Sequence, residues 1–321
     1  MRRFATCLSI ALMLALLAGC GADAQQILQE VRAEAEANRN SAPVASPSTV
    51  RSGDSIRVAS FNIQVFGVSK MGKPEVVDVL AQVIRRFDIV AIQEVRAADQ
   101  SVVPRFVEQI NATGRQYAHV LGPRLGRTSS KEQYAYIYDT QSIELVPGSV
   151  YTVPDPSDFL HREPLVARFQ VRSTGREQGF SCTLINIHTD PDETDIELDA
   201  LDDVYLTVRN NAPDEDDVIL LGDLNVDERH LGELGQLSGI AYVVSGVPTN
   251  TIGKSTYDNL VFDRRSTTEF TGAWGVLDLM ADYGLTLDQA KQVSDHLPVW
   301  AEFASREHVT GIAGRPTETV R

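Results

Sequence analysis

Alternating and continuous hydrophobic runs divide the middle of the chain into predicted strands and helices. Hydrophobic side chains at helical spacing follow Pro74, and proline suits the first turn of a helix, so residues 74–87 are predicted to be helical. Residues 196–208 are a second helix candidate. Alternation or short apolar runs predict strands at 56–63, 89–92, 134–138, 165–171, 180–187, 218–221, 257–262 and 298–303. This mixture excludes an all-α bundle and predicts an α/β domain.

Several of the predicted strands stop at a carboxylate, an amide or an imidazole. A charge at the end of a buried run is costly unless it is paired or binds a metal ion. One such residue is typical of a turn cap, but this many in one chain favour a cluster at one edge of a sheet. Carboxylate and amide oxygens are ligands for Mg²⁺, Mn²⁺ or Ca²⁺. The residues concerned are Asn62, Glu94, His188, Asp223, Asn225, Asp295 and His296.

The charge balance points to the same kind of chemistry. The 321 residues include 29 Lys and Arg against 44 Asp and Glu, which gives a formal charge of −15. Such a protein repels nucleic acid and anionic membranes at long range, so an anionic substrate needs a bound cation as intermediary. Three cysteines exclude a disulfide framework and a Cys-rich zinc site, and Cys182, in an apolar strand pattern, is expected in the core.

The first residues have the features of an export signal. A basic start is followed by an apolar run at 8–18 that is too short to span a bilayer. Leu17-Ala18-Gly19-Cys20 resembles a bacterial lipobox, which implies that Cys20 becomes the lipid-bearing mature N-terminus. The alternative is an ordinary signal peptide cut after Ala24. We therefore expect an exported lipoprotein of the cell envelope, periplasmic or on the outer surface, with a secreted soluble protein as the alternative.

The chain divides into one large domain and flanking segments. Residues 1–24 are the predicted signal peptide with its lipobox, and 25–54, rich in Pro, Ser and Ala towards the end, are a predicted flexible tether. Residues 55–304 form one predicted catalytic domain, without an internal repeat or a second linker, and we expect a monomer. Residues 305–321 are predicted to be a loose tail.

An ordered set of motifs runs through residues 55–304: FNIQVFG, IQEVR, SKEQYAYIY, HREPLVARF, INIHTDP, VILLGDLNVD, TYDNLVFD, YGL and SDHLPV. Each motif alone is weak, but in its order and spacing the set resembles the deoxyribonuclease I family of endonucleases, exonucleases and phosphatases. The resemblance implies a four-layer α/β/β/α sandwich, in which two mostly antiparallel sheets pack face to face between helices.

The resemblance also implies roles for individual residues. His188 and His296 correspond to the catalytic imidazoles, with Glu132 and Asp258 as their carboxylate partners and Asp223 beside the attacking water. Which imidazole acts as acid stays open at this point. The metal ligands implied are Glu94, Asn62, Asp223, Asn225 and Asp295, for Mg²⁺ or Mn²⁺. Contacts to DNA phosphates or the minor groove are implied for Arg96 and Arg162, and a contact to a substrate phosphate oxygen for Asn225. A structural Ca²⁺ is implied for Asp158 and Glu163.

Three functions compete on these residues. The first is a divalent-metal-dependent endonuclease that hydrolyses DNA phosphodiester bonds to 5′-phosphate ends. The second is a lipid or phosphoinositide phosphodiesterase, such as a sphingomyelinase, which a membrane anchor at Cys20 would suit. The third is a non-catalytic surface protein that retains the fold. The two arginines in the QEVR and REP motifs favour a polynucleotide, and the intact set of acidic and imidazole residues disfavours the third.

Overall fold

The computed structural model describes residues 53–173, 178–212 and 214–308. The predicted signal peptide with Cys20, nearly all of the predicted tether and the end of the predicted tail lie outside these ranges. Within the ranges, none of the helices is both long and apolar enough to cross a bilayer.

The described strands run from β1 to β13 in chain order. They are β1 (Ser55–Phe66), β2 (Ile89–Val95), β3 (Tyr117–Leu121), β4 (Gln133–Asp139), β5 (Ile143–Leu145), β6 (Tyr151–Thr152), β7 (Leu165–Val171), β8 (Ser181–His188), β9 (Val218–Asp223), β10 (Ile240–Tyr242), β11 (Asp258–Asp263), β12 (Phe270–Val276) and β13 (Val299–Ala304). The helices are α1 (Val68–Met71), α2 (Pro74–Ile84), α3 (Val102–Asn111), α4 (Thr194–Asn211), α5 (Leu279–Tyr283) and α6 (Leu287–Val293). A 3₁₀ turn covers Gly232–Gln236.

Two sheets form the centre of the domain. The first has the order β12-β13-β1-β2-β4-β3, and the second has the order β10-β11-β9-β8-β7-β5, with β6 also paired to β7. All of these pairs are antiparallel except β1 with β2 and β8 with β9. Each sheet therefore has one parallel pair near its middle.

Three apolar clusters separate the layers. One lies between the sheets and includes Tyr136, Phe169 and Phe303. A second joins α2 and α3 to the outer face of the first sheet, and a third joins α4 to the outer face of the second sheet. Strands β2, β4, β8, β9 and β11 are buried along their whole length because they are covered on both faces. The predicted four-layer α/β/β/α sandwich is confirmed.

The structure places Cys182 in the core as predicted, and it extends the packed part of the chain into the predicted tail. Cys182 is buried in the layer between the sheets, as its apolar surroundings predict. The first four residues of the predicted tail, 305–308, are tied to the domain, because Ser305 N–H donates to the Asp54 carbonyl and Arg306 bridges to Gly179. The part of the chain that packs on the sandwich therefore extends beyond Ala304.

Candidate active site

The two parallel strand pairs bring four polar side chains to one edge of the sandwich. Asn62 and Glu94 lie near the carboxyl ends of β1 and β2, and His188 and Asp223 end β8 and β9. Parallel neighbours end on the same side, so His188 lies directly opposite Asp223 in the register. A Cβ at Gly222 would come within 1.8 Å of the neighbouring backbone carbonyl oxygen of β8, so glycine permits this close pairing.

The backbone at this edge departs from regular strand geometry. The register between β1 and β2 shifts between Asn62 and Phe66. Val65 and Glu94 have φ values of 53° and 59°, which lie in the left-handed region. For residues other than glycine, this conformation costs about 1–3 kcal/mol of conformational free energy. The Val65 N–H donates to Glu94 Oε2 at 2.8 Å. The irregular backbone thus turns a strand residue, Glu94, towards the edge and binds its carboxylate there.

Lys70 holds this irregular segment in place from behind. Its ammonium group donates to three backbone carbonyls, those of Ile63, Gln64 and Val293, at 2.8, 2.6 and 2.8 Å. Burial lowers the pKa of Lys70 to about 8, although the charges of Asp295 and Glu94 oppose the shift. Sequence analysis did not single out this lysine. Its signal is its position in α1, directly after the FNIQVFG motif.

Asn62 links the two sheets at the predicted metal site. Its Nδ2 donates to Glu94 Oε1 at 3.1 Å and to Asp223 Oδ2 at 2.9 Å, while its Oδ1 accepts from the Gln64 N–H. One amide thereby holds two carboxylates from different sheets on either side of itself. The amide nitrogen faces them, so Asn62 here positions the acidic groups instead of offering its oxygen.

The first imidazole, His188, has a carboxylate partner that arginines neutralise. His188 Nδ1 lies 3.0 Å from Glu132 Oε2. Glu132 Oε1 lies 2.8 Å from Arg96 Nη2 and 3.6 Å from Arg162 Nη1. Burial raises the pKa of Glu132, but the hydrogen bond to His188 and the charges of Arg162 and Arg96 outweigh burial and hold this pKa at about 2. The buried Tyr134 hydroxyl accepts from the His188 N–H at 2.9 Å.

The second imidazole, His296, has a carboxylate partner without an arginine. His296 Nδ1 lies 2.9 Å from Asp258 Oδ2, which also accepts from the Thr249 hydroxyl at 2.7 Å. Asp258 is fully buried, and its Oδ1 has no hydrogen-bond partner among the described residues. Burial alone would lower the pKa of His296, but the charges of Asp258 and Asp223 raise it to about 11. The Tyr257 ring lies 5.9 Å from the imidazole.

Asp223 stands between the two imidazoles. Its Oδ2 lies 3.5 Å from His188 Nε2 and 3.4 Å from His296 Nε2. Its Oδ1 accepts from the Asn225 N–H at 3.1 Å, and Asn225, with φ 54°, donates its side chain to the Thr189 carbonyl. Two rings that can carry protons therefore converge on one carboxylate oxygen.

The donor set suits a hard divalent cation. Asp295, on the rim, has a side chain that is 51% exposed and lies 4.0 Å from His296 Nε2. The carboxylates outnumber the two arginines that pair with them and the nearby Lys70, so the site carries an excess of negative charge. Oxygen ligands of this kind suit Mg²⁺, Mn²⁺ or Ca²⁺. The carboxylates are Glu94, Glu132, Asp223, Asp258 and Asp295, and the cations are Lys70, Arg96 and Arg162.

Arg162 lies inside the protein instead of on the substrate side. Only 5% of this residue is exposed, and its guanidinium donates to the His188 carbonyl through Nε at 3.1 Å and Nη2 at 3.0 Å. This placement corrects the expectation of a direct phosphate contact, because the fork is already used by the protein. Arg96 also pairs with carboxylates, since its Nη2 lies 3.1 Å from Glu94 and 2.8 Å from Glu132, but a third of its side chain is exposed at the mouth of the site.

The residues predicted for a structural Ca²⁺ do not come together as a set of three acidic groups. Asp158 is bound by Arg127, whose Nε lies 3.2 Å from its Oδ1, and 79% of the Asp158 side chain is exposed. Among the described residues, the groups of three or more clustered potential ligands do not include Asp158 or Glu163. The prediction of Ca²⁺ at this position gains no support from the geometry.

A basic groove beside the site was missed by sequence analysis. A cavity of about 500 Å³ starts at Asn225 and Tyr257 and includes Arg229, His230 and Lys254. Asp227 orients two of these groups, since its oxygens lie 2.7 Å from Arg229 Nη2 and 2.7 Å from His230 Nδ1. The only sequence signal was a basic pair shortly after the GDLN motif, which resembles an ordinary solvated turn.

Comparisons with known proteins agree with this geometry. The model of the Endonuclease/Exonuclease/phosphatase family matches residues 59–296. Deoxyribonuclease-1-like 2 of Mus musculus is 33% identical over 268 residues, which cover 79% of this chain and 94% of that protein. The chain belongs to the endonuclease/exonuclease/phosphatase family, in its deoxyribonuclease I-like branch. It is an enzyme of the nuclease and phosphodiesterase type, in a family that generally uses divalent metal ions.

Solved structures of family members share the fold. A family protein from Bacteroides thetaiotaomicron has a TM-score of 0.54 at 17% identity, covering 79% of this chain and 98% of its own. The human Nocturnin catalytic domain has a TM-score of 0.55 at 15% identity, covering 78% and 93%. At these identities the likeness supports the sandwich and not a particular substrate.

Proposed function

We propose that the protein is a divalent-metal-dependent endonuclease that hydrolyses DNA phosphodiester bonds and leaves 5′-phosphate ends. The observation that carries this proposal is the convergence of two imidazole–carboxylate pairs on Asp223 Oδ2. Hydrolysis of a phosphodiester needs one group to take a proton from water and another to give a proton to the leaving oxygen. The relatives named for deoxyribonuclease activity favour DNA over other phosphodiesters.

Glu94 and Asp223, with Asp295 on the rim, are the residues proposed to hold the metal ion. A bound divalent cation supplies stabilisation of the negative charge that develops on the phosphate oxygens. Asn62 contributes by fixing the separation of the two buried carboxylates, because its amide bonds to both. Glu94 is fixed further by the Val65 N–H.

The two imidazoles divide the proton transfers in this proposal. Asp223 orients the attacking water, and His188, steadied by Glu132, accepts its proton. His296 faces Asp258, which no arginine neutralises, so the imidazolium form of this ring is favoured and donates a proton to the leaving 3′ oxygen. The bond from phosphorus to the 3′ oxygen breaks, and the phosphate stays on the 5′ side.

DNA is proposed to enter along the basic side of the site. Arg96 stands at the mouth, and the groove with Arg229, His230 and Lys254 extends from Asn225. An arginine can contact a phosphate with two nitrogens at once. These groups offset locally the repulsion between DNA and a chain of formal charge −15.

Cleavage of supercoiled plasmid tests the proposal directly. We expect nicking with Mg²⁺, none after EDTA, and nicked ends that accept ligation without added phosphate. Glu94→Gln is expected to cleave slowly and to recover in part with excess Mn²⁺, whereas Glu144→Gln, at a distant and exposed salt bridge, is the matched control. Hydrolysis of sphingomyelin instead of plasmid would establish the competing lipid phosphodiesterase.

We also propose that the enzyme is a monomeric lipoprotein of the cell envelope, anchored at Cys20. The support is the lipobox sequence alone, since these residues lie outside the described part of the chain. Two or more acyl chains anchor a protein stably, so Cys20→Ser should appear as a soluble or unprocessed form. A mature N-terminus at Gln25 by mass spectrometry would instead establish an ordinary signal peptide.

A further inference from the structure

A second group of carboxylates lies at the end of the sandwich away from the active site. Asp217 directly precedes β9, whose last residue is the catalytic Asp223, so about 20 Å of strand separates the two. Glu269 directly precedes β12, and Glu307 follows β13. One carboxylate oxygen from each of these three residues lies within 4.8 Å of the other two. We call Asp217, Glu269 and Glu307 the distal carboxylates.

Two of the distal carboxylates are buried without partners for all of their oxygens. Asp217 and Glu269 are each only 2% exposed, and Asp217 Oδ1 and Glu269 Oε2 have no hydrogen-bond partner among the described residues. The buried Thr267 hydroxyl lies near the Asp217 carboxylate, without a well-formed hydrogen bond of its own. A charged oxygen withdrawn from water without a partner is costly, so these atoms require either a proton or a cation.

Arg168 does not meet that need. Arg168 Nε lies 2.9 Å from Glu215 Oε2, so it neutralises a neighbouring carboxylate instead. Backbone N–H groups reach one oxygen each of two distal carboxylates, from Ser181 to Glu307 Oε1 at 2.7 Å and from His308 to Glu269 Oε1 at 2.6 Å. These backbone contacts supply no full positive charge, and the His308 imidazole, whose Nδ1 lies 4.0 Å from Glu269 Oε1, carries one only when it is protonated.

Crowding and burial raise the pKa of two of the distal carboxylates. Burial, and then the charge of Glu269, raise the pKa of Asp217 to about 9. Burial, and then the charges of Glu269 and Glu215, raise the pKa of Glu307. A divalent cation would reverse both effects, because its charge would stabilise the ionised forms.

We propose that the distal carboxylates, with the Thr267 hydroxyl beside them, form a structural binding site for a divalent cation of the Ca²⁺ class. All of the available donors are oxygens, and Ca²⁺ accepts six to eight oxygen ligands in flexible geometry, with water filling open positions. Glu307 is only half-buried, which gives the ion a route from solvent. The three ligands come from segments before β9, before β12 and after β13, so the ion would fasten the end of the described chain to the second sheet.

Thermal unfolding of the full chain tests this site apart from the catalytic one. The Glu94→Gln protein, stripped of metal with EDTA, is titrated with CaCl₂, so that the active-site ligand set is already impaired. We expect a rise in Tm of roughly 5–10 °C at a hundredfold excess of Ca²⁺ over its Kd. Adding Asp217→Asn or Glu269→Gln should abolish that rise.

The same variants distinguish a cation from a proton. Asp217→Asn removes a repelling charge, so in EDTA at pH 8 we expect its Tm to equal or exceed that of its parent. Glu307→Gln, at the half-buried rim, is the milder variant should either buried substitution fail to fold. An undiminished Ca²⁺ effect in all three variants would locate the ion elsewhere and overturn the proposal. A second outcome would also overturn the proposal. If the Tm of the Glu94→Gln parent does not respond to Ca²⁺ but falls between pH 7 and 10, while the Tm of the Asp217→Asn variant does not fall, then protons and not a cation neutralise the carboxylates.

Discussion

The two imidazoles of the active site have similar hydrogen-bond geometry and opposite electrostatic surroundings. In both His188 and His296, Nδ1 lies within hydrogen-bond distance of a buried carboxylate, and Nε2 faces Asp223 Oδ2. Glu132, behind His188, is shared with two arginines. Asp258, behind His296, has the Thr249 hydroxyl and one oxygen without a partner.

This difference supports the proposed division of the two proton transfers between the rings. Glu132, which orients His188, shares its negative charge with two arginines. A carboxylate without such neutralisation stabilises the imidazolium, and the pKa of His296 is raised to about 11 accordingly, although burial opposes it. Position along the sequence and residue type do not reveal this asymmetry, because both rings have an acidic partner.

Removal of either ring should have the largest effect on activity. We expect His188→Ala and His296→Ala each to lower turnover by at least about a hundredfold, the usual scale for a group that transfers a proton. Plasmid digestion with Mg²⁺ at equal protein concentration measures this, and circular dichroism checks that the fold persists. His119→Ala, on the edge strand β3, is the matched control. Wild-type digestion by either of the first two variants would refute the assignment of that ring.

Replacing the two carboxylates should separate the pairs. Asp258→Asn is expected to lower turnover by about 10- to 100-fold, the usual scale for an orienting partner, and to lower the pKa of His296, because the charge that raises it is lost. The imidazole can be followed by NMR in metal-free protein between pH 6 and 11. An unchanged titration of His296 in Asp258→Asn would contradict the proposed source of the shift.

Glu132→Gln should act more on stability, since it leaves Arg162 buried without its partner. Breaking a buried ion pair costs about 3–5 kcal/mol, and we expect a loss of this order in the free energy of unfolding in urea at pH 7. The control is Glu302→Gln, which breaks a more exposed pair with Arg57. Equal losses of unfolding free energy in both variants would mean that burying Glu132 with its arginine partners does not strengthen their contribution to stability.

Acid should remove the same contribution in the wild-type protein. The pKa of Glu132 is about 2 in the folded state and near 4.5 when unfolded, so its stabilisation is complete above pH 4.5 and is lost as the pH falls towards 2. The shift corresponds to roughly 3 kcal/mol. Urea unfolding at pH 6 and pH 3 should therefore show a smaller acid-induced loss in Glu132→Gln than in the wild type.

The smallest effects should come from lysine in place of each arginine. Arg162→Lys cannot hold the His188 carbonyl with two nitrogens, so we expect kcat to fall several-fold with KM unchanged. Arg96→Lys, at the exposed mouth, keeps the charge but loses the two-nitrogen contact, so it should mainly raise KM for DNA. Initial rates over a range of plasmid concentrations distinguish the two outcomes. A raised KM in Arg162→Lys would mean that this side chain reaches the substrate after all.

The sequence predicted which polar residues gather at the edge of the sandwich better than it predicted their arrangement. Glu94 and Asp223 were found because each interrupts an apolar run, and the structure joins them through Asn62. Arg162 was misplaced because a motif gives residue type without depth in the fold, and its burial depends on how β7 and β8 pack. Lys70 had no distinguishing pattern, since its role comes from three backbone carbonyls that approach only after folding.

The strands and helices show a similar limit. The strands covered on both faces and the long helices were predicted, because burial leaves continuous apolar runs. Helix α3 was missed although the apolar residues at positions 102, 103, 106, 107 and 110 have helical spacing. The helix has only 10 residues and polar residues separate its apolar positions, so the pattern is weak. Strand β12 is largely half-exposed and contains glycines, so its sequence has neither alternation nor an apolar run.

The pairing of β1 with β13 has a consequence for when the enzyme becomes active. These are the first and last strands of the described domain, and they lie side by side over Ser55–Ser60 and Val299–Ala304. Asn62 lies on the first strand and His296 directly precedes the last, so a contact of very long range completes the active site. Contacts of this kind form slowly. The active site is therefore assembled only once nearly the whole domain is available to fold, and catalytic activity reports that the pairing of β1 with β13 has formed.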